Sequence, residues 1–487
     1  MKLTRLAVLI AAIGVTAPAF ATNGMNMAGY GPIAEAMGGV SMAYDNGNAA
    51  MINNPATLGL MPSGGSRFDI ALGDLMPDVK SNGATSSAKD FFMPAMGYVR
   101  KDGKLSWGVG MMAQGGMGTE YANSSAFGPL AGMSFATGPY AVTDPGLRNK
   151  SEVGVGRVMF PLSYSVSPQL NIGGSIDYIW AGMDLQWVVD GSHFADLLPG
   201  SANKFGSVSP TSSILPPFQG AMRAGAFSAV DYAYFNFDTG SKFTQKATAD
   251  GWAANLGFTY KASERLTVGG VYHAKTHLSD MKTDGSGATM SIAVRGGAMG
   301  AQAIPVIGQA VIKNFQWPET WGLGMAYKVN DRWDVMADYK RIGWADVMKN
   351  FNLSFIASGS NTGAAAGFSN SQLNVSYFQN WQNQNVYLLG AAYKASAAMT
   401  VRFGANIANN PIPDQYVSPL FPAIMKTHYT AGLGYAFSKA SSLDGSVVYA
   451  PKVTVTNTAA AAGGGIGTNQ NISLGGGSWQ VMYSYRY

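Results

Sequence analysis

Large apolar or aromatic side chains alternate with small or polar ones along many stretches of this chain. Trp321, Leu323, Met325 and Tyr327 share one face of an extended segment, and Gly322, Gly324, Ala326 and Lys328 share the other. The same period of two sets Trp252, Leu256, Phe258 and Tyr260 against Ala253, Asn255, Gly257, Thr259 and Lys261. It also sets Tyr429, Leu433, Tyr435 and Phe437 against His428, Thr430, Gly432 and Gly434. At the end of the chain Trp479, Val481, Tyr483, Tyr485 and Tyr487 oppose Gln480, Met482, Ser484 and Arg486. In a soluble sandwich the apolar face would be the core; in a membrane barrel it would face lipid, with aromatics at the interfaces and the polar face lining the interior.

Connection lengths separate these two readings. The pattern predicts fourteen strands, near 66–75, 91–100, 104–113, 152–167, 169–190, 248–262, 265–283, 318–328, 332–356, 384–395, 399–407, 427–438, 441–456 and 477–487. Every second connection is tight, as at Lys101-Asp102-Gly103, Ser167-Pro168, Ala262-Ser263-Glu264, Val329-Asn330-Asp331, Ser396-Ala397-Ala398 and Ser438-Lys439-Ala440, and the others are long. Bacterial barrels alternate short periplasmic turns with longer extracellular loops and have an even strand number. The expectation is an all-β, 14-stranded antiparallel transmembrane β-barrel over 66–487, in the outer membrane of a Gram-negative cell.

The N-terminus fits that destination. Lys2 and Arg5 precede an apolar run from Leu6 to Val15 and then Ala19-Phe20-Ala21, the layout of an export signal over 1–21 with the mature chain starting at Thr22. The run is shorter than the roughly 20 residues a helix needs to span a bilayer. Charged residues are only 12% of the chain, too few for the surface of an ordinary soluble protein. A formal net charge of +5, reduced by two when the signal leaves, is too mild to argue for a nucleic-acid partner. There is no cysteine, so disulfides and thiolate chemistry are excluded, and no metal or other cofactor is expected.

Residues 22–65 are rich in Gly, Met, Asn and Ala and show no long helical or strand pattern. They could form a periplasmic tail, a small separate domain, or a plug within the lumen. Gly38-Gly39-Val40-Ser41-Met42-Ala43-Tyr44-Asp45-Asn46, followed by Asn53-Asn54-Pro55-Ala56, resembles the opening of FadL/TodX/OmpP1-type outer-membrane transporters. Pro318-Glu319-Thr320-Trp321 is similar to a motif of that family, as is Asn410-Pro411-Ile412-Pro413 ahead of Gly432-Leu433-Gly434-Tyr435. The resemblance implies an N-terminal hatch containing Asn54, Pro55 and Ala56, an apolar outer groove, a tighter inner site and a lateral opening at an irregular third strand. It also implies passive uptake of hydrophobic small molecules, long-chain fatty acids first among them. Read without the family, Asn54-Pro55 is a turn before the first strand.

Two long connections are unusually apolar. The first holds Leu197, Leu198, Phe205, Phe218 and Met222, and the second Ile304, Ile307 and Val311, with a short helix conceivable within 296–312. Such clusters mark ligand or partner sites, although the two loops could also pack on each other as a lid. In the third strand Ser106-Trp107-Gly108-Val109-Gly110 leads to Gln114-Gly115-Gly116, and glycines of this kind often mark bulges. Parity places Arg157, His273, Lys275, Lys340 and Arg402 inside; Arg157, Lys340 and Arg402 are candidate partners for a carboxylate. Inward Asp177, Asp334, Asp338 and Asp444 could equally neutralise them. Trp180-Ala181-Gly182-Met183-Asp184 lacks the basic residues that fatty-acid transporters of the family tend to carry there, which leaves neutral and aromatic hydrocarbons open.

Enzymatic chemistry has little support. His273 and His277 are about 13 Å apart on one extended strand, too far for one tetrahedral metal, and no nucleophile motif is present. The chain reads as a non-enzyme, with a structural or adhesin barrel as the other alternative. Expected partners are a hydrophobic ligand, membrane lipid and, because the last strand ends on an aromatic residue, the barrel-assembly machinery.

Overall fold

A computed structural model describes residues 22–122, 147–238, 245–457 and 470–487; the expected export signal lies outside them. The described residues form eighteen strands of eight residues or more, not fourteen. In chain order they are β1 (Ser66–Ser81), β2 (Phe91–Asp102), β3 (Leu105–Tyr121), β4 (Asn149–Ser165), β5 (Leu170–Asp190) and β6 (Ala229–Phe237). There follow β7 (Ala247–Lys261), β8 (Leu266–His273), β9 (Ala288–Arg295), β10 (Gln302–Lys313), β11 (Thr320–Lys328) and β12 (Trp333–Ile342). The last are β13 (Asn350–Ala357), β14 (Gln384–Lys394), β15 (Met399–Ala408), β16 (Thr427–Ala436), β17 (Ser441–Asn457) and β18 (Gln470–Arg486).

All ladders are antiparallel and they close on themselves, since β18 pairs with β1 from Arg486↔Arg67 to Ile472↔Ser81. The ring passes from β1 through β2, β3, β4, β5, β7, β8, β11, β12, β14, β15, β16 and β17. A second sheet branches from it. The upper end of β5 pairs with β6, β6 with β9, β9 with β10 and β10 with β13.

These branch strands account for the corrected count. Met290, Ile292 and Val294, and then Ile304, Val306, Ala310 and Ile312, are buried residues spaced by two or four, so stretches expected as greasy loops are strands. The helix considered within 296–312 is absent, because β10 occupies Gln302–Lys313. The strand expected over 332–356 is two, β12 and β13, with a helical turn at Trp344–Val347 between them. The strand expected over 265–283 is interrupted after His273 and resumes against β7 in two short segments, His277–Leu278 and Met281–Lys282.

At one end every connection between ring neighbours is four residues or fewer, and this is the periplasmic end. β5 has 21 residues, about 70 Å of extended chain, so its upper half rises well beyond the 9 to 11 residues that span a bilayer. The outward residues Phe160, Leu162, Ile176, Leu256, Trp321, Leu323, Tyr387 and Leu389 are all more than half exposed. A continuous apolar belt of this kind is stable against lipid and not against water.

Residues 22–65 fill the lumen and are buried almost throughout. The small inward faces that the alternation revealed make room for them. A Cβ on Gly173 of β5 would lie 2.7 Å from the amide of Ala56, and one on Gly257 of β7 would collide with the Asn54 side chain. The plug and the wall therefore fit only because these inward positions carry no side chain.

Candidate functional site

The plug is fastened by polar contacts at several points around the wall. Asn54 Nδ2 donates to the carbonyls of Met42 (2.7 Å) and Phe258 (3.1 Å), while Asn54 Oδ1 accepts from the Ala56 amide at 3.2 Å. This caps the short 3-10 helix Pro55–Leu60. The three hatch residues read from the sequence, Asn54, Pro55 and Ala56, thus form one wall-bound turn. On β12, Asp338 accepts from the amides of Ser41 (2.6 Å) and Met42 (3.1 Å). On β1, Arg67 reaches Asp45 at 2.9 Å and Asn48 Oδ1 at 2.9 Å. Glu35 is fully buried and takes hydrogen bonds from Ser446 and from Ser478 (2.7 Å). Burial pushes its carboxyl above the ordinary range, against those donors and Gln480.

The wall is broken at β3. Its ladder with β2 runs from Asp102↔Leu105 to Ala95↔Met112 and stops, while β2 continues to pair with β1 as far as Phe91. A bulge follows between Ala113 and Gly115 in the pairing of β3 with β4. There the plug takes the place of β2: Asn26 pairs with Gly115, the Gly116 amide donates to the Met25 carbonyl (3.2 Å), and the Tyr30 hydroxyl donates to the Gln114 carbonyl (2.8 Å). Burial raises the Tyr30 hydroxyl pKa, so it remains a donor. A cavity of about 340 Å³ opens at this gap. It is lined by Leu75, Phe91, Phe92, Met93, Met111, Met117, Val153 and Trp180 with Gly115, Gly116, Gly154 and Gly156, and its polar members are Asp90, Glu152 and Gln245.

Two smaller cavities lie within. One, of about 40 Å³, is aromatic and aliphatic, with Met25 of the plug facing Trp187, Phe315, Met348, Phe351, Leu420 and Phe421. The other, of about 50 Å³, is the more polar of the two and brings together Arg157, His273 and Lys340 with Asn23, Asn26, Tyr30, Asn53 and Gln114, beside Met27, Met42, Ile52 and Val271. Met27 and Tyr30 line this polar cavity and a further small one, whose Met93, Pro94 and Ala113 also border the gap.

Arg157 and Lys340, two of the three candidate carboxylate partners, therefore share one cavity. Arg157 is already held by Asp177 (2.8 Å) and Gln114 Oε1 (2.6 Å). Lys340 donates to the Gly39 carbonyl at 3.3 Å and makes no ion pair among the described residues. Arg402, the third, sits apart in the periplasmic mouth and pairs with Asp444 at 2.8 Å. Lys275 lies beyond the end of β8 and is exposed, so the inward parity read for it ended with the strand.

The eight apolar residues read as a groove are divided. Leu197, Phe218, Ile304 and Val311 are buried, Leu198 and Phe205 are half-buried, and Met222 and Ile307 are exposed. Phe218 packs edge-on to Phe194 with ring centres 5.7 Å apart and against Phe227 at 5.2 Å. None of the eight lines the gap or either inner cavity. Tyr30, Met25, Trp187, Phe315 and Phe351, which do, were missed. The signal for Trp187 was available, since it continues a strand already read to residue 190, but nothing in the sequence brings it to Met25.

His273 Nε2 is 3.1 Å from the Asn53 carbonyl, His277 stacks on Trp252, and His428 is buried. Among the described residues no group of three His, Cys, Asp or Glu is placed to hold a metal ion.

A closed transmembrane barrel, filled by its own N-terminal segment and breached at one strand, defines a plugged outer-membrane channel. The chain belongs to the OMPP1/FadL/TodX family of outer membrane transport proteins, whose model matches residues 8–485. Its fold is similar to that of the Pseudomonas putida toluene transporter TodX, at 27% identity and a TM-score of 0.74 over 94% of this chain and 99% of that one. The Ralstonia pickettii toluene transporter TbuX gives 27% identity and a TM-score of 0.71 over the same shares of each chain. A curated Chlorobium limicola relative, described as an uncharacterized protein in the phosphoenolpyruvate carboxykinase gene 5' region, is 44% identical over 110 residues. That match takes in 22% of this chain and 54% of the relative, so the chain spans about half the length of the curated relative it matches.

Proposed function

We propose that this protein is a passive outer-membrane channel for hydrophobic small molecules, with neutral and aromatic hydrocarbons as its first ligands. The observation that carries this is the largely apolar cavity of about 340 Å³ at the break in β3, where the plug pairs with the wall in place of β2. Each methylene moved from water into such a site stabilises the bound state by about 0.8 kcal/mol. Trp180, Phe91 and Phe92 offer ring faces and edges to an aromatic guest. The two structurally similar toluene transporters point the same way. No step needs a catalytic group, and we read the protein as a channel and not an enzyme. The buried apolar residues of the outer sheet serve this reading as a scaffold, with exposed Met222 and Ile307 as the members left to meet ligand from the medium. We read the aromatic C-terminal strand, ending at Tyr487, as the segment presented to the barrel-assembly machinery.

Fatty-acid transport is the second reading, favoured by one observation: Lys340 and His273 face the same polar cavity as Arg157. Co-purified small molecules, extracted from protein solubilised in mild detergent and identified by mass spectrometry against a plain porin, separate the two. Enrichment of neutral hydrocarbons supports the first reading and enrichment of fatty acids the second. No enrichment of either, together with unchanged toluene uptake in cells lacking the protein, would overturn both.

A further inference from the structure

Six non-glycine residues among those described have a positive φ, and five of them are asparagines. The sixth is Gln245, at φ 56°. Asparagine visits this left-handed region readily because its short amide can bond its own backbone. Glutamine does not, so its surroundings hold it there, as they hold strained residues at ligand sites. Gln245 is 7% exposed and lines the gap cavity. A Cβ on Gly154 would lie 3.5 Å from its Oε1 and 3.6 Å from its Nε2, so the amide lies along the β4 side of the gap. Two residues on, along the same face of β4, Gly156 is covered by the indole of Trp180 from β5. Two residues of strand span about 7 Å. A ring held against that indole therefore carries a substituent to the amide.

The charged members of the cavity are Asp90 and Glu152, and among the described residues no lysine, arginine or histidine lines it. Lys150 is 3.7 Å from Glu152 but lies closer to Asp184 and Asp238. An anionic guest meets like charge here, which is selection by repulsion. An uncharged hydroxyl meets acceptors instead, since Asp90, Glu152 and Gln245 Oε1 can each take its proton in a hydrogen bond. We propose that the gap favours aromatic molecules carrying one uncharged hydroxyl over both bare hydrocarbons and carboxylates, and that Gln245 is the residue that reads the hydroxyl. The inference rests on the channel reading and narrows its guests. A phenolic or benzylic hydroxyl exchanges hydrogen bonds with the Gln245 amide while its ring lies against Trp180. A bare ring in the same place covers the amide and gives it nothing in return.

The test is equilibrium dialysis of labelled toluene, p-cresol and 4-methylbenzoate against the full-length protein purified in detergent. Each affinity is divided by the compound's partition into the same micelles without protein, which removes differences in hydrophobicity. The parent is expected to bind p-cresol about tenfold tighter than toluene, as the net hydrogen bonds of one hydroxyl give, and 4-methylbenzoate more weakly than either. Gln245→Leu should bring p-cresol down to the toluene level and leave toluene unchanged. A heat-dependent gel shift confirms that the barrel is folded. Should Gln245→Leu fail it, Gln245→Asn takes its place, because asparagine suits the left-handed backbone and draws the amide back from Gly154. Toluene bound as tightly as p-cresol in the parent, 4-methylbenzoate bound tightest, or equal weakening of toluene and p-cresol in the Gln245 variant would overturn the proposal and leave the channel reading standing. Binding of none of the three would overturn both.

Discussion

Arg67 of β1 and Asp45 of the plug are joined by a fork in which Nη1 lies 2.9 Å from both carboxylate oxygens. The arginine side chain is 2% exposed and the carboxylate 35%. Among the described residues the only other carboxylate within 4 Å of Arg67 is Asp69, at 3.9 Å. The pair ties the plug to the first strand of the wall, and its two members are not equivalent. Removing Arg67 loses a buried anchor that also holds Asn48, whereas Asp45→Asn keeps an oxygen that can accept from the guanidinium, which still has Asp69 nearby, and so costs less. Arg67→Ala is expected to raise ion conductance in planar bilayers well above that of Asp45→Asn, and both above the parent. Equal conductance in all three would place the hold on the plug elsewhere.

Glu35 gives the plug a pH dependence whose sign follows from its burial. Its carboxyl is raised in the docked state, so the docked plug binds more protons than a displaced one, and docking weakens as pH rises from the ordinary carboxylate range through the raised value. Docking should be firmest in acid. Conductance recorded from acid to neutral pH is therefore expected to climb in the parent. Glu35→Gln, which cannot ionise, should hold conductance low and flat across the same range.

Gly257 is expected to tolerate no side chain, because a Cβ there meets the Asn54 side chain. The cost of such overpacking is typically about 1 to 3 kcal/mol. Gly257→Ala should lower the temperature of the heat-dependent gel shift. The equivalent change at Gly103, where a Cβ would meet nothing within 4 Å, strains only the turn and serves as the control.

How far these features could be read from the sequence depended on whether they are local. The ring strands and their tight turns follow from a period of two and from short polar connections, both visible over a few residues. Gln114-Gly115-Gly116 marked the break in β3 for the same reason. The outer sheet escaped because β9 and β10 were judged by composition: Ile304 and Val311 looked like a sticky loop, and only their pairing with β9 and β13 makes them a sheet interior. The inner cavities escaped for a different reason. Met25 meets Phe351 and Leu420 across hundreds of residues, and no spacing within one strand encodes which plug residue faces which wall residue.

If hydrocarbon passes through the break in β3, filling the break should stop it without unfolding the barrel. Gly154 lines the gap cavity, and a Cβ there would lie no closer than 3.5 Å to Gln245, so a larger side chain can enter the cavity without meeting backbone. Gly154→Leu is expected to cut uptake of labelled toluene several-fold while leaving the gel-shift temperature within a few degrees of the parent. Undiminished uptake in a folded Gly154→Leu protein would exclude the gap as the route.

The three candidate cations allow the choice between ligands to be tested. Arg157→Gln removes the partner of buried Asp177, at a cost typical of a broken buried pair, roughly 3 to 5 kcal/mol, so it should weaken the barrel and depress uptake of every ligand alike. Lys340→Met breaks no ion pair among the described residues and empties the polar cavity of its least committed charge. Arg402→Gln acts in the periplasmic mouth, where Asp444 already neutralises it. If hydrocarbons are the ligands, Lys340→Met leaves toluene uptake at the parent level and oleate uptake is low in both proteins. A selective loss of oleate uptake in Lys340→Met, with toluene unchanged and Arg402→Gln silent, would instead establish a carboxylate site in the polar cavity.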